Sequence, residues 1–256
     1  MDRIKTKDFW NMKAKRYPKP FSEKVHPKVV SLIERIKKAG VDFKNRMVLE
    51  IGSGTGVYTL PMAQEASFVY GIDCSEEMGR VLLKEAEKHR IKNIHIQIGF
   101  WDEMDIDALG LRKNFDLVFA IMTSAVKTQE DLLRMEACSK RWLCYVGWGR
   151  KRRNPLMEEV FKLHGLELKP PPGALSVYQI LKGLGRNPSL EFFEDSWDWE
   201  GSMEEALEDL SGFIEMHGIH SEKEIILEVL HQHEIGSYIN HTTYVEEGLI
   251  IWEVEG

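Results

Sequence analysis

The sequence predicts an α/β protein with a mostly parallel sheet covered by helices on both faces. Apolar, strand-like segments alternate with helical segments from residue 41 to residue 147, which is typical of βαβ units. The first of these strands runs directly into a glycine-rich turn at residues 52–56. In a parallel sheet such a turn offers backbone N–H groups to a ligand, so we expect a binding site at the carboxyl ends of the strands.

The elements follow each other in a regular order. Residues 1–40 are predicted to form helices that cap the sheet, because apolar residues recur at helical spacing over 22–38 and stop at Gly40, a natural residue to end a helix. The predicted strands cover residues 48–51, 68–73, 93–99, 115–120 and 142–146. Helices are expected to start near Thr55, at Ser75 and at Thr128, the last two residues being good N-caps.

Beyond residue 148 the pattern changes. Short helices are predicted on either side of a proline-rich breaker, followed by an aromatic strand, two helices opened by capping boxes, and a closing pair of strands. The last strand is expected to join the main sheet next to the strand at 142–146. In order, these segments are 154–164, 169–173, 174–184, 190–199, the boxes at Ser202 and Ser221, and strands 238–245 and 248–254. The sequence predicts a single domain, 1–256: an N-terminal cap (1–40), a ligand-binding core (41–149), an acidic helical insertion that acts as a substrate lid (150–237), and closing strands (238–256).

Composition narrows the class of protein. The 256 residues carry a net charge of −7, and three cysteines without C-x-x-C spacing indicate neither a disulfide framework nor a thiolate zinc site. The amino terminus has no apolar targeting segment and no stretch is long enough to cross a membrane, so a cytoplasmic location is expected. Five histidines between 217 and 241 could suggest a metal site, but solvent-exposed or capping roles are favoured and no metal is predicted.

The charge is unevenly distributed along the chain. Residues 191–234 contain 14 acidic residues and one basic residue, Lys223, whereas residues 150–153 form a basic cluster. Such a cluster usually marks a solvated surface. Together with the N-terminal lysines it leaves RNA contact open as an alternative.

The glycine turn itself limits which ligand can bind. A dinucleotide fingerprint, G-x-G-x-x-G, would need a small residue at position 57, where this chain has Val57. Here the third glycine comes one position earlier, at Gly56. A nicotinamide dinucleotide is therefore disfavoured.

These residues resemble a known family. The string from Val48 to Gly56 is similar to motif I of the class I S-adenosylmethionine-dependent methyltransferases, and Asp73 follows at the family's spacing, at the end of its own apolar strand. The resemblance covers residues 9–147 and a carboxy-terminal strand. It implies a Rossmann-like sheet of seven strands, S-adenosylmethionine as cofactor and S-adenosylhomocysteine as product.

The resemblance also implies the site. Asp73 would accept hydrogen bonds from the two ribose hydroxyls, and Tyr17 would reach the methionine carboxylate. The family has Gly-Asp after its third strand where this chain has Gly99-Phe100, so Asp102 or a backbone carbonyl is expected to contact the adenine amino group. The full set implied to bind the cofactor is Tyr17, Glu50, Gly52, Ser53, Gly54, Gly56, Asp73, Cys74, Met78, Phe100, Trp101, Asp102 and Met122.

The expected reaction is in-line methyl transfer to a small-molecule acceptor, with catalysis mainly by positioning. Candidates for a general base are Tyr17, His26, Tyr178 and His241. The aromatic residues Tyr178, Phe192, Phe193, Trp197 and Trp199 are expected to enclose the acceptor. Two alternatives remain open: an RNA methyltransferase, and a non-catalytic module that binds S-adenosylmethionine for regulation.

Overall fold

The computed structural model describes residues 3–236 and 238–254. Its helices and strands alternate through the first part of the chain, as the sequence predicts. In chain order they are α1 (Arg3–Lys13), α2 (His26–Lys38), β1 (Met47–Ile51), α3 (Thr59–Ala63), β2 (Phe68–Asp73), α4 (Glu76–Lys88), β3 (Ile94–Ile98), a 3₁₀ turn (Trp101–Glu103), β4 (Phe115–Ile121), α5 (Gln129–Cys138), β5 (Ser139–Arg153), α6 (Pro155–Leu163), α7 (Ala174–Gly183), β6 (Ser189–Gly201), α8 (Met203–Met216), α9 (Lys223–Gln232), β7 (Glu234–Ile235) and β8 (Tyr238–Glu253).

The sheet has the strand order β3-β2-β1-β4-β5-β8-β6, and the short β7 pairs with β8. The pairs β2–β3, β1–β2, β1–β4 and β4–β5 are parallel, whereas β7 and β8 are antiparallel. The order reverses direction at β1, between β2 and β4. In doubly wound sheets this switch point opens a crevice at the carboxyl ends of the strands. The predicted fold class is confirmed.

Helix caps were well predicted in the first part of the chain. The Ser75 hydroxyl accepts the backbone N–H of Met78, with two glutamates in the first turn of α4. Thr128 and Asp131 form a complete capping box at the start of α5. Each cap satisfies N–H groups that have no partner within the helix, which fixes where the helix begins.

The described chain forms two compact units. The core unit comprises residues 3–147, 174–191 and 249–254, and the insertion unit comprises 148–173 and 192–248. The unit boundaries fall inside the strands β5, β6 and β8 as well as in one loop, at 173–174. The single-domain organisation inferred from the sequence, with residues 150–237 acting as a lid, stays a prediction.

The insertion unit has its own hydrophobic core, formed by α6, α8, α9 and the start of β8. Phe161, Leu210, Ile226 and Ile239 are almost fully buried there. The predicted capping box at Ser202 opens α8, with Glu205 closing it. The core and the cap explain why this acidic stretch folds despite its charge.

Two expected helix starts were wrong. Helix α3 begins at Thr59 rather than near Thr55, because the chain turns through 54–58 first. The second predicted capping box does not form: α9 has Glu222 as its N-cap, and the Ser221 hydroxyl donates to Glu215 instead.

The closing pair of strands is one continuous strand, β8. Glu246 and Glu247, which separate the two predicted strands, are part of this strand and are buried. Its place next to β5 was predicted and is confirmed. None of the helices in the described part of the chain is long and apolar enough to cross a membrane.

Candidate cofactor site

The glycine turn after β1 depends on three glycines with positive φ: Gly52 (79°), Gly54 (53°) and Gly56 (86°). A Cβ at Gly52 would lie 2.2 Å from the Thr123 hydroxyl oxygen, and one at Gly56 would lie 2.8 Å from Leu82. Glycine is therefore required at Gly52 and Gly56 for two reasons: a Cβ would clash with a neighbouring side chain, and the backbone has a positive φ. At Gly54, a Cβ would approach only Tyr17 within the described chain, at 3.9 Å, so the backbone there faces open space.

Asp73, the last residue of β2, is hydrogen-bonded to this turn. Its Oδ2 accepts the backbone N–H of Gly54 at 2.8 Å, and its Oδ1 accepts that of Ser75 at 2.9 Å. Burial raises the pKa of the Asp73 carboxyl, while the N–H groups of Ser75 and Gly54 act in the opposite direction. Each carboxylate oxygen can accept more than one hydrogen bond, so both can still accept a ligand hydroxyl.

Glu50, near the end of β1 and just before the turn, is buried, with 1% of its surface exposed. Its Oε2 accepts the Thr59 hydroxyl at 2.5 Å. Burial raises the pKa of Glu50 to about 8, and nearby Asp73 adds to the rise although Thr59 opposes it. At neutral pH this carboxyl is therefore mostly protonated.

Tyr17 lies beside Gly54 in the segment that follows α1. Burial, with a contribution from the charge of Asp73, raises the pKa of its phenol to about 12. Its ring packs edge-on against Trp10, with the ring centroids 6.1 Å apart. The structure thus brings three of the predicted residues together: Tyr17, Gly54 and Asp73.

The N-terminal segment makes a second group of contacts at the site, for which the sequence carries no local signal. Asn11 Oδ1 accepts the Ser75 hydroxyl at 2.7 Å, and the Thr55 hydroxyl donates to the backbone carbonyl of Pro18 at 2.6 Å. Lys7 also forms an ion pair with Glu76 at 2.6 Å. These contacts hold the segment against both the glycine turn and the start of α4.

The residues predicted to contact adenine follow β3. Trp101 is buried, and its indole N–H donates to the carbonyl of Asp131 at 3.4 Å. Asp102 is exposed and forms an ion pair with Arg3 at 2.7 Å, and the same guanidinium lies over the Phe100 ring, 5.4 Å from its centroid. Phe100 and Asp102 are therefore the members of this group that a ligand can reach most directly.

The remaining predicted cofactor residues lie on nearby elements. Met78 is buried in α4 with 2% of its surface exposed. Cys74 is half-buried, and burial raises the pKa of its thiol to about 11. Met122 follows β4 with a positive φ of 48° and donates its N–H to the carbonyl of Val146. The ligand role of these residues stays a prediction.

The structure places the candidates for a general base on different elements. Tyr17 lies at the glycine turn, whereas His26 begins α2, with its ring 5.5 Å from Phe21 and its Nδ1 buried without a partner among the described residues. Tyr178 lies on α7 in the core unit and is half-buried. Of these three, Tyr17 is the one that the structure puts beside Gly54.

His241 lies in the insertion unit and has structural partners. Its ring stacks on Trp199, with a centroid distance of 5.2 Å and an interplanar angle of 7°. The Asn154 amide donates to its Nδ1 at 2.8 Å and also to the Thr243 hydroxyl. Asn154 Oδ1 accepts the N–H of Met157, which fixes the amide orientation and makes His241 Nδ1 an acceptor.

Three of the four histidines in 217–233 have local partners too. His217 Nδ1 lies 2.9 Å from the carbonyl of Phe213, His231 is near Glu234, and His233 is near Glu159. Within residues 3–236 and 238–254, no group of three or more His, Cys, Asp or Glu side chains could hold a metal ion.

The residues of the turn fit a nucleoside cofactor. The Ser53 hydroxyl is buried with no hydrogen-bond partner in the described chain, so it can bond to a ligand. Gly54 leaves open space beside Asp73, whose oxygens have unused acceptor capacity. Carboxylate, hydroxyl and backbone groups of this kind suit the ribose and amino-acid portions of S-adenosylmethionine.

Comparisons with known proteins show which proteins this chain is similar to. Residues 42–162 match the family model described as a methyltransferase domain. Magnesium protoporphyrin IX methyltransferase from Synechocystis, solved with bound S-adenosylhomocysteine, aligns with a TM-score of 0.56 at 15% identity, covering 96% of this chain and 100% of that one. The YcgJ protein of Bacillus subtilis aligns with a TM-score of 0.51 at 17% identity, covering 89% and 99%.

A relative in sequence is an uncharacterised protein of Haemophilus influenzae, 29% identical over 183 residues, which are 69% of this chain and 64% of that protein. The matched region therefore spans just under two thirds of the relative. The family model matches just under half of the chain, and together with the fold it supports the predicted resemblance to the class I S-adenosylmethionine-dependent methyltransferases. The predicted family and its cofactor, S-adenosylmethionine, are confirmed.

Proposed function

We propose that this protein transfers the methyl group of S-adenosylmethionine to a small-molecule acceptor. The observation that carries the proposal is the pairing of Asp73 with the glycine turn: carboxylate oxygens with unused acceptor capacity lie next to an unobstructed stretch of backbone at Gly54. When bound, the cofactor supplies an electrophilic methyl group on a sulfonium that serves as its own leaving group. The protein then contributes by binding and orienting the cofactor and the acceptor and by excluding water from them.

Individual residues would have different roles in binding the cofactor. Asp73 would hold the ribose, and the Gly54 backbone would allow close approach of the chain to the cofactor. Ser53 would use its unpartnered hydroxyl on a ligand polar atom. Tyr17 would cover the open side of the turn and keep water from it.

The ionisable groups around Asp73 support catalysis by positioning. Tyr17, with a pKa of about 12, and Cys74, with a pKa of about 11, both retain their protons at neutral pH. Glu50, with a pKa of about 8, is mostly protonated and is enclosed by the fold. None of the three is a ready base at pH 7, which suits an acceptor atom that is already a nucleophile.

The basic cluster gives little support to an RNA acceptor. Arg150 donates two hydrogen bonds to the Glu246 carboxylate, each 2.6 Å long, and Arg153 lies 3.7 Å from Glu158. Carboxylates therefore already neutralise two of the four cations that would contact phosphates. The substrate named for the Synechocystis enzyme is also a small molecule, which supports the same choice.

The experiment is transfer of a labelled methyl group from S-adenosylmethionine to fractions of a cell extract. We expect label in the small-molecule fraction, and much less in that fraction with the Asp73→Ala variant at the same cofactor concentration. Label in RNA that falls steeply with added salt would favour the RNA alternative. Tight binding of S-adenosylhomocysteine with no labelled product in any fraction would favour a non-catalytic binding module.

A further inference from the structure

The guanidinium of Arg152 lies over two aromatic rings in the insertion unit. Its central carbon is 4.9 Å from the ring centroid of Trp148 and 5.9 Å from that of Phe213. Arg152 lies near the end of β5, whereas Phe213 belongs to α8. A cation is attracted to the face of an aromatic ring, so these contacts favour this position of the guanidinium.

Arg152 has no carboxylate partner among residues 3–236 and 238–254. The one hydrogen bond its side chain donates there goes to the thioether sulfur of Met157, at 3.8 Å. Sulfur of this kind is a weak acceptor. The Nε atom is buried without any acceptor within the same described residues.

The neighbouring arginines show that carboxylates are within reach of this strand. Arg150 is paired with Glu246 through two hydrogen bonds, and Arg153 lies close to Glu158. Among these three arginines, and within the described chain, the absence of a counter-ion is specific to Arg152. It distinguishes this residue from its two neighbours.

This arrangement is costly for the fold. Burial lowers the pKa of Arg152 to about 10, because no described carboxylate compensates the charge that is removed from water. A charge that is partly desolvated and not paired is a common feature of binding sites. The residue is half-buried rather than sealed, so a ligand can approach it.

We propose that Arg152 binds the carboxylate of a small organic acid with a planar, apolar body. The guanidinium carbon lies over two aromatic rings, and its terminal nitrogens make no bond to a carboxylate in the described chain, which leaves them for a bidentate contact with a carboxylate. Trp197 packs against Trp148 with ring centroids 5.9 Å apart and is 37% exposed, so it offers apolar surface for the body of the acid. The site goes beyond the proposed function, because every residue in it belongs to the insertion unit.

The first test uses phenylacetate as the probe and phenylacetamide as its neutral match, with binding measured by calorimetry. We expect phenylacetate to bind in the millimolar range and phenylacetamide at least about tenfold more weakly. Phenyl phosphate distinguishes the kind of anion, and tighter binding of it than of phenylacetate would overturn the carboxylate assignment. Equal binding of acid and amide, or no binding of phenylacetate, would overturn the site.

The second test uses variants. Arg152→Met should weaken phenylacetate binding at least about tenfold and leave the urea midpoint of unfolding unchanged or higher, because it removes an unpaired charge. Arg152→Lys keeps the charge without the planar fork and should lose binding severalfold. Arg153→Gln, the matched control, should bind as the wild type does.

The proposal would be overturned if Arg152→Met unfolds at a lower urea concentration while both Arg152→Met and Arg152→Lys still bind phenylacetate. That result would assign Arg152 a structural role. S-adenosylhomocysteine binding is measured on the same samples. It reports on the core unit alone, so failure of the acid site and failure of the proposed function are separate results.

Discussion

The carboxylate of Asp73 accepts the backbone N–H of Gly54 at 2.8 Å, so the end of β2 holds the turn that follows β1. Replacing Asp73 by alanine should weaken S-adenosylhomocysteine binding by roughly 1.5 to 3 kcal/mol, the scale of a hydrogen bond to a charged group. Calorimetry measures the loss. Asp116→Ala is the matched control, because its carboxylate likewise accepts a backbone N–H, that of Met47, at 2.9 Å. Equal affinities for wild type and Asp73→Ala would contradict the site.

Gly54 combines a positive φ of 53° with open space in front of its backbone. Gly54→Val should abolish S-adenosylhomocysteine binding, because the side chain would occupy the cofactor's approach. The variant also strains the backbone by about 1 to 2 kcal/mol. Gly110→Val separates the two effects: Gly110 lies in an exposed loop with a φ of 66°, and no described atom lies within 4 Å of where a Cβ would stand. That control should lose stability but bind normally.

Much of this site could be predicted from local sequence. The glycine turn, Asp73 at a strand end and the caps at Ser75 and Thr128 all depend on residues a few positions apart, where propensity and hydrogen bonding act directly. Asn11 could not be found in this way. Its contact with Ser75 joins residues 64 positions apart and exists only once α1 packs on α4.

The errors have equally specific causes. Ser221 has the sequence of a capping residue, but its hydroxyl is taken by Glu215, six residues earlier. Glu246 and Glu247 are two consecutive charged residues and were expected to lie between strands, yet both are buried within β8, where Arg150 pairs with Glu246. Arg152 is one of four consecutive basic residues, and sequence does not reveal which of them lacks a carboxylate. In each case tertiary contacts override a local signal.

The raised pKa of Glu50 predicts how the free energy of unfolding changes with pH. Its pKa rises from 4.5 to about 8 on folding, so between these values the folded state binds more protons than the unfolded state. The free energy of unfolding should therefore fall as the pH rises from about 4.5 to 8 and level off above that. Urea unfolding at several pH values measures it. Glu50→Gln should flatten this part of the profile, whereas Glu65→Gln, an exposed control paired with Lys37, should leave it in place.

Tyr17 should act through its ring rather than as a base. Because its pKa is raised to about 12, the phenol stays neutral across the working range. We expect Tyr17→Phe to keep both S-adenosylhomocysteine affinity and the pH profile of methyl transfer within about twofold. Tyr17→Ala should weaken binding more, since it exposes the turn at Gly54. A large loss of transfer rate in Tyr17→Phe with unchanged affinity would instead indicate a catalytic hydroxyl.

Arg186 supports a buried carboxylate at the other end of the core strands. Glu136, 6% exposed, accepts two hydrogen bonds from Arg186, at 2.9 and 2.7 Å, and one from the Trp252 indole at 3.0 Å. Arg186→Ala should lower the free energy of unfolding by about 1.5 to 3 kcal/mol, the scale of a hydrogen bond to a charged group, because Glu136 keeps fewer donors. Urea unfolding tests this. Arg186→Ala combined with Glu136→Gln should recover part of the loss, and no recovery would mean that Arg186 acts by packing alone.

The bond between Trp252 and Glu136 joins residues 116 positions apart, and β8 lies inside the sheet, between β5 and β6. During synthesis the glycine turn and Asp73 leave the ribosome long before the strand that completes the core unit. Until residues 249–253 emerge, Glu136 lacks one of its donors and β5 has an exposed edge, which is a template for aggregation. The nascent chain should therefore depend on chaperones until its final strand is made, and its folding should be slow, as expected for a protein that must close such distant contacts.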